Sequence, residues 1–371
     1  MDIEGRVQVT VAWDGSRIRA VRIDSTRPDL AHALLAGRRA DEAKALLLRV
    51  FSICARAQAT ALAAALDAAR GVAAHDVRQR EMAVLAEAAL EYLWRLQIDL
   101  PGLLGLRERP EALAQLRRAL GREDGTPQNW RHFIGALRAA LQDEWAGTSG
   151  PFDPADPAAF AEWEACSDAP AARLLRAVRA APLASVGMAA LPSLTENLLH
   201  EIGEALDREP GFSRQPTHAA APAECGARAR LAAHPLLHAV ATSTSRAYQR
   251  VLARWLELAE TPARLTRLLD AKAAVPWVKG VTLGPGHGIA GVETARGLLV
   301  HAVTLAGDRI TAYHIVAPTE WNFHPRGALA ADLVEVPASD AREVEQRAAL
   351  AVQSLDPCVP YAVAVERCEH A

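Results

Sequence analysis

Residues 293–301 read Glu-Thr-Ala-Arg-Gly-Leu-Leu-Val-His, and residues 313–326 read Tyr-His-Ile-Val-Ala-Pro-Thr-Glu-Trp-Asn-Phe-His-Pro-Arg. From Leu299 the apolar positions Val303 and Leu305 lead to Gly307-Asp308, after which Ile310, Ala312 and Ile315 resume. This spacing predicts a β-hairpin. Just upstream lies a glycine-rich run, Gly284, Gly286, Gly288 and Gly291. Gly284-x-Gly286-x-Gly288 has the spacing of a dinucleotide loop, but such a loop must follow a strand and open a helix. Here β-like sequence comes next and the lysine of a P-loop is absent, so nucleotide binding is not indicated.

Further upstream, residues 29 to 275 are dominated by Ala, Leu, Arg and Glu, with apolar residues at three- and four-residue spacing. That pattern predicts long helices, among them 55–70, 80–98 and 192–207. In the last of these Ser193 and Glu196 stand as a capping box. Gly and Pro clusters near 101–110, 146–157 and 209–222 read as loops within one helical body. At the N-terminal side, Val7, Val9, Val11 and Trp13 alternate up to Asp14-Gly15, and Ile18, Ala20, Val21 and Ile23 follow. A hairpin is expected there, with a slip in parity after Ala20 that marks a bulge. Downstream, a helix over about 339–354 precedes a cysteine-bearing tail. The expected fold class is mainly α with small β elements (α+β), a single domain over 1–371. Its parts are an N-terminal hairpin (1–25), a helical body (26–275), and a hairpin, final helix and tail (276–371). Trp94, Trp130, Trp145 and Trp163 are expected to pack the core.

Composition narrows the function. The 371 residues are 50% hydrophobic and carry 41 basic against 44 acidic side chains. A sizeable core is therefore expected, and no electrostatic footprint favours nucleic acid or an anionic membrane. The first residues lack a basic patch followed by an apolar run, and no apolar stretch is long enough to span a bilayer. A cytoplasmic location is expected. Five cysteines, Cys54, Cys166, Cys225, Cys358 and Cys368, are too scattered for a disulfide framework.

Taken together, short segments along nearly the whole chain resemble the large subunit of nickel–iron hydrogenases. Ile3-Glu4-Gly5-Arg6 is similar to that family's R-x-E-G-H opening, with Arg6 where histidine is usual. Arg49-Val50-Phe51-Ser52-Ile53-Cys54, continuing to Gln58, lies on R-I-C-G-x-C-x-x-x-H and keeps only the second cysteine. Glu224-x-Gly226 with Ala229-Arg230 looks like E-x-G-x-x-A-R. Glu293 to Gly297 with Leu299 and His301 matches E-A-P-R-G-x-L-x-H, and Tyr313 with Pro318 to Arg326 matches Y-x-x-x-x-P-T-T-W-N-x-x-P-R. Asp356-Pro357-Cys358 lies on D-P-C-x-x-C-x-x-H, with Tyr361 for the second cysteine and Ala364 for the histidine.

The resemblance implies a long-helix bundle flanked by β elements from both ends, and it implies a site. The family's bimetallic centre needs four thiolates, of which Cys54 and Cys358 remain. Two thiolates cannot hold both metals, but they suit one low-spin iron carrying one carbonyl and two cyanides. Arg296 matches the arginine beside the cyanides, where a guanidinium fork suits an anionic nitrogen. Pro318 and Thr319 match the other cyanide pocket, Asp356 would support Arg296 or the neighbouring backbone, and Glu4 matches a proton-relay carboxylate whose cysteine partner is lost. Cys54, at a helix start, is expected to have its thiol pKa lowered by the dipole. His301 reads as a satisfied core histidine, Cys166 and Cys225 as core or surface thiols, and Cys368-Glu369-His370 as a disordered end. With Ala364 in place of the terminal histidine, the chain also resembles the HupK/HoxV type of hydrogenase expression/formation protein. That likeness implies a non-catalytic scaffold that binds Fe(CN)2(CO), without nickel, and hands it to a hydrogenase large subunit precursor. A HypC-type chaperone and iron-assembly factors would be its further partners. The alternatives are a metal-free adaptor docking assembly proteins and, less in keeping with the lost ligands, an active hydrogenase.

Overall fold

The computed structural model describes residues 5–27, 30–50, 53–121, 125–144, 156–185, 187–272 and 276–368. Glu4, Phe51, Ser52, Trp145, Glu369 and His370 therefore lie outside the described residues.

The N-terminal alternation folds as the expected hairpin, β1 (Val7–Trp13) and β2 (Ile18–Ser25). Val7, Val9 and Val11 point inward with no exposed surface. The Asp14 carboxylate closes the turn by accepting from Ser16 N and Arg17 N, each at 2.8 Å. Ala12 pairs with Ala20 and Trp13 with Ile18, so the bulge falls at Arg19, on the other side of Ala20 from where the alternation placed it.

The helical body follows the predicted periodicity. Helix α1 (Ala55–Ala69) buries an alanine face, and α2 (Val77–Trp94) runs on through a π-turn over Arg95–Asp99. The 24-residue α3 (Arg246–Leu269) is buried along most of its length. The helix predicted from 192 begins at Glu196, and its N-cap is Thr195, whose hydroxyl accepts from Leu198 N at 3.2 Å. Ser193 is not the cap, because the residue nearest the first free amides competes best for them. Trp130 is buried and Trp163 packs partly against the core, but Trp94 is 42% exposed, with Arg117 lying over its ring.

The glycine-rich run is itself sheet. β3 (Val278–Gly284), β4 (His287–Thr294), β5 (Gly297–Ala306) and β6 (Arg309–Val316) form an antiparallel meander in that order, two strands more than the predicted hairpin. Helix α1 lies directly across it. A Cβ on Gly288 would stand 2.3 Å from both the Ala65 carbonyl oxygen and the Ala69 amide nitrogen. Gly288 thus serves close helix-to-sheet approach, and the run lies in strands instead of opening a helix as a phosphate loop must.

Helix α4 (Ala341–Leu355) is capped by Asp340 and leads into Asp356, which takes a left-handed conformation with φ 60°. The segment beyond is a strand, β7 (Tyr361–Arg367), paired in parallel with β1 so that β1 becomes the centre of a three-stranded sheet. Cys368 N continues the pairing to Trp13 O at 2.9 Å, so the expected disorder does not extend to Cys368. The architecture is mainly helical with small sheets. Among the described residues no helix is long and apolar enough to cross a membrane.

Candidate functional site

Cys54 is the N-cap residue of α1. The amides that would stabilise a thiolate at this helix start are already engaged: Arg56 N and Ala57 N donate to the two oxygens of Glu87, each at 2.9 Å. The Cys54 thiol is consequently not lowered. Burial pushes it up to about 12, neighbouring Cys358 and Glu87 add to the rise, and Arg296 and the Gln58 amide oppose it. Desolvation and like charge dominate, and Glu87, not the sulfur, takes the free amides of the first turn.

One turn along, Gln58 Nε2 donates to Cys54 Sγ at 3.7 Å, and Gln58 Oε1 lies 2.9 Å from His301 Nε2. Tyr313 completes the row, its hydroxyl 2.6 Å from His301 Nδ1. With the amide so oriented, His301 carries its proton on Nε2 and accepts from Tyr313. Burial lowers the His301 pKa to about 3, so it stands neutral at the heart of the core, as expected of a satisfied core histidine.

Cys358 arrives from the other end of the chain. The left-handed turn at Asp356 aims it at the short helix Pro318–Asn322, where Cys358 N donates to Thr319 Oγ1 at 3.2 Å and the Thr319 hydroxyl lies 3.1 Å from Cys358 Sγ. Arg27 Nη1 reaches the same sulfur at 3.8 Å. Both thiols are half-buried.

Arg296 lies near enough to both for its charge to act on them. The turn that presents it is fixed by Thr294, whose hydroxyl oxygen accepts from Arg296 N and Gly297 N at 3.2 Å each. Gly297 has φ +130°, and a Cβ there would meet Cys225 Sγ at 2.3 Å. Only glycine fits. The guanidinium is 8% exposed, pairs through Nη1 with Glu91 of α2, and places Nε 3.4 Å from Asp356 Oδ1. Burial works against its charge, but Asp356, Cys358, Cys54 and Glu87 outweigh it and raise its pKa. Asp356 in turn accepts from Arg95 Nε at 3.0 Å. Burial alone would raise the Asp356 carboxyl, yet Arg296, Arg95 and Arg254 pull it down to about 2.

Five of the candidates read from sequence, Cys54, Cys358, Arg296, Thr319 and Asp356, thus fall in one cluster. Pro318 lies at its floor, where its carbonyl oxygen and that of Arg296 stand 3.8 Å and 3.9 Å from Cys225 Sγ. Glu4 lies outside the described residues. Sequence reading missed Glu87, Glu91 and Arg95, although their four-residue spacing puts them on one face of a predicted helix. It also assigned no role to Gln58, which was visible as the position four after Cys54.

The other matching segments join around this cluster. Arg230 donates to Glu257 at 2.7 and 2.8 Å and to Glu293 at 2.6 Å, tying the 224–230 segment to the 293–297 segment. Asn322 accepts from Cys225 N at 2.9 Å and donates to Arg296 O at 3.0 Å. Among the described residues, no group of three or more His, Cys, Asp or Glu is placed to hold a metal ion. The cluster offers two thiols, a hydroxyl and a fixed cation, a set able to bind a metal only if other ligands come with it.

Comparison with known proteins agrees with this layout. The family model for nickel-dependent hydrogenase matches residues 218–364. The fold is similar to a reduced, active form of the Ni-Fe-Se hydrogenase from Desulfomicrobium baculatum, with a TM-score of 0.64 at 15% identity over 94% of this chain and 95% of that one. Over almost its full length the chain is similar to the hydrogenase expression/formation protein HoxV of Cupriavidus necator, 30% identical across 92% of each. It is likewise 30% identical to HupK of Bradyrhizobium diazoefficiens (100% of this chain, 99% of that one) and 31% identical to HupK of Rhizobium leguminosarum bv. viciae (97% and 96%). A nickel-dependent hydrogenase fold, together with identity of 30–31% to these relatives over 92–100% of its length, places the chain in the hydrogenase expression/formation protein family of HoxV and HupK.

Proposed function

We propose that the protein is a non-catalytic maturation scaffold that receives an iron unit, Fe(CN)2(CO), on Cys54 and Cys358 and delivers it to a hydrogenase large subunit precursor. The observation that carries this reading is the closeness of Cys54 and Cys358 to each other and to Arg296, with the Thr319 hydroxyl against Cys358 Sγ. A bare divalent ion would find too few protein ligands here among the described residues, whereas an iron that already holds three diatomic ligands needs only the two sulfurs and at most one further atom. The cyanides would lie against donors, the guanidinium of Arg296 and the hydroxyl of Thr319. Pro318 shapes the same wall and Asp356 holds Arg296 in place. Glu4, outside the described residues, is proposed to have a structural role and not that of a proton relay. The donors of the iron unit are proposed to be a HypC-type chaperone and iron-assembly factors, acting in the cytoplasm.

Protein purified anaerobically after co-production with the assembly machinery is expected to contain iron without nickel and to show cyanide and carbonyl infrared bands. Cys54→Ser and Cys358→Ser should each abolish the bands. Bands that survive both substitutions, or nickel bound together with hydrogen uptake, would overturn the scaffold reading. Folded protein without iron under these conditions would instead favour the metal-free adaptor.

A further inference from the structure

Helix α3 carries Arg246, Arg250 and Arg254 four residues apart, so three cations rise on one face. Such spacing is repulsive even on a solvated surface. Here Arg250 and Arg254 are 4% and 5% exposed, and Arg228, 8% exposed, joins them from the segment after Gly226. Two buried carboxylates face these four guanidiniums. Glu224 accepts from Arg228 Nε at 2.6 Å and from Arg250 at 2.8 and 3.0 Å, and stands 3.9 Å from Arg246. Asp332 pairs with Arg250. Arg254 donates only to main-chain carbonyls, those of Gln353 and Ser354, and has no carboxylate within ion-pair distance among the described residues. The acid that acts most strongly on it, Asp356, is shared with Arg95 and Arg296.

The positive excess surrounds a small space. Arg228, Arg250, Arg254, Asn322 and Ser354 line a cavity of about 10 Å³ together with Glu224, whose carboxylate is already engaged by Arg228 and Arg250; its size admits one water-like particle. Arg228 Nη2, fully buried, has no hydrogen-bond partner among the described residues. Buried N–H groups are nearly always satisfied, and buried charge is nearly always paired. Burial is the main cause of the lowered pKa of Arg254; Asp356 and Tyr92 oppose it, and the Arg95 and Arg250 cations add to it.

We propose that this cavity is a binding site for one small monovalent anion of halide size, held by Arg228 and Arg254 and neutralising the arginine face of α3. Neither Cys54 nor Cys358 lines this cavity, and the anion belongs to the folded protein whether or not iron is bound. The site is therefore independent of the scaffold reading.

Two measurements on the full chain test it. Crystals soaked in bromide are expected to show an anomalous peak within hydrogen-bond distance of Arg228 and Arg254. Thermal unfolding at constant ionic strength should give a midpoint that rises by a few degrees, on the order expected for a bound ligand, when chloride replaces gluconate. Arg254→Gln and Arg228→Gln should each remove that rise. A water with no anomalous signal in the cavity, or equal midpoints in chloride and gluconate, would overturn the proposal. So would an undiminished chloride effect in both variants. Should neither variant fold, the bromide density decides alone.

Discussion

Asp356 governs the site from a position that contacts neither sulfur. Its left-handed backbone turns the chain out of α4, and one carboxylate oxygen serves both Arg95 and Arg296. Replacing it by asparagine leaves two nearly buried guanidiniums facing each other, and removal of one partner from a buried pair costs about 3–5 kcal/mol. Asp356→Asn is thus expected to lower the urea midpoint strongly, whereas Asp24→Asn, at an exposed pair with Arg22, should change stability by well under about 1 kcal/mol. Cys54 makes a different demand. Its thiol, raised to about 12, is protonated throughout the physiological range, so coordinating it to iron must expel a proton. Apparent affinity for the iron unit should therefore climb about tenfold per pH unit between pH 6 and 8 on account of this one group. Equilibrium transfer measured across that range by infrared band intensity would expose a flat profile if Cys54 were not a ligand.

Helix α1 and the sheet beneath it show what side-chain size decides at the next scale. Because the Gly288 position has backbone atoms at 2.3 Å where a Cβ would lie, Gly288→Ala must separate helix and sheet. Overpacking of this kind costs about 1–3 kcal/mol, and the displaced helix carries Cys54 at its start. Chemical unfolding and iron binding are both expected to weaken in that variant, whereas Gly284→Ala, with nothing within 4 Å, should leave both unchanged. The same elements mark how far the sequence could be read. Alternation around Asp14-Gly15 and apolar spacing along α1 and α2 are properties of single segments, and both hairpin and helices follow from them. Whether glycines 284–291 turn, bind phosphate or form strands depends on what lies above them, and that is α1, more than 200 residues earlier in the chain. The motif residues Arg296, Thr319 and Cys358 were legible as chemistry. Glu87 and Glu91 were not, because a glutamate on a helix gives no local sign that it will cap a second helix or pair with an arginine from a sheet turn.

Across the whole molecule, β7 is the element that joins the two ends. It pairs with β1 from Val7↔Tyr361 to Trp13↔Arg367, on the opposite edge from β2. A version ending at Pro360 keeps Cys358 but loses this ladder and uncovers the inner strand of the sheet. It should unfold at lower denaturant concentration, and its thiols should react faster with a maleimide than those of the full chain; equal labelling rates would show that β7 has no part in seating Cys358. The separation of the two sulfurs along the chain has one more consequence. Cys54 is synthesised early and Cys358 about 300 residues later, and the turn and strand that seat the second sulfur follow everything else that builds the cluster. During translation the first thiol must wait for its counterpart, so a cargo offered to the nascent polypeptide could be gripped at only a single point. Under the scaffold proposal, loading is in this way expected only on a protein that has already left the ribosome.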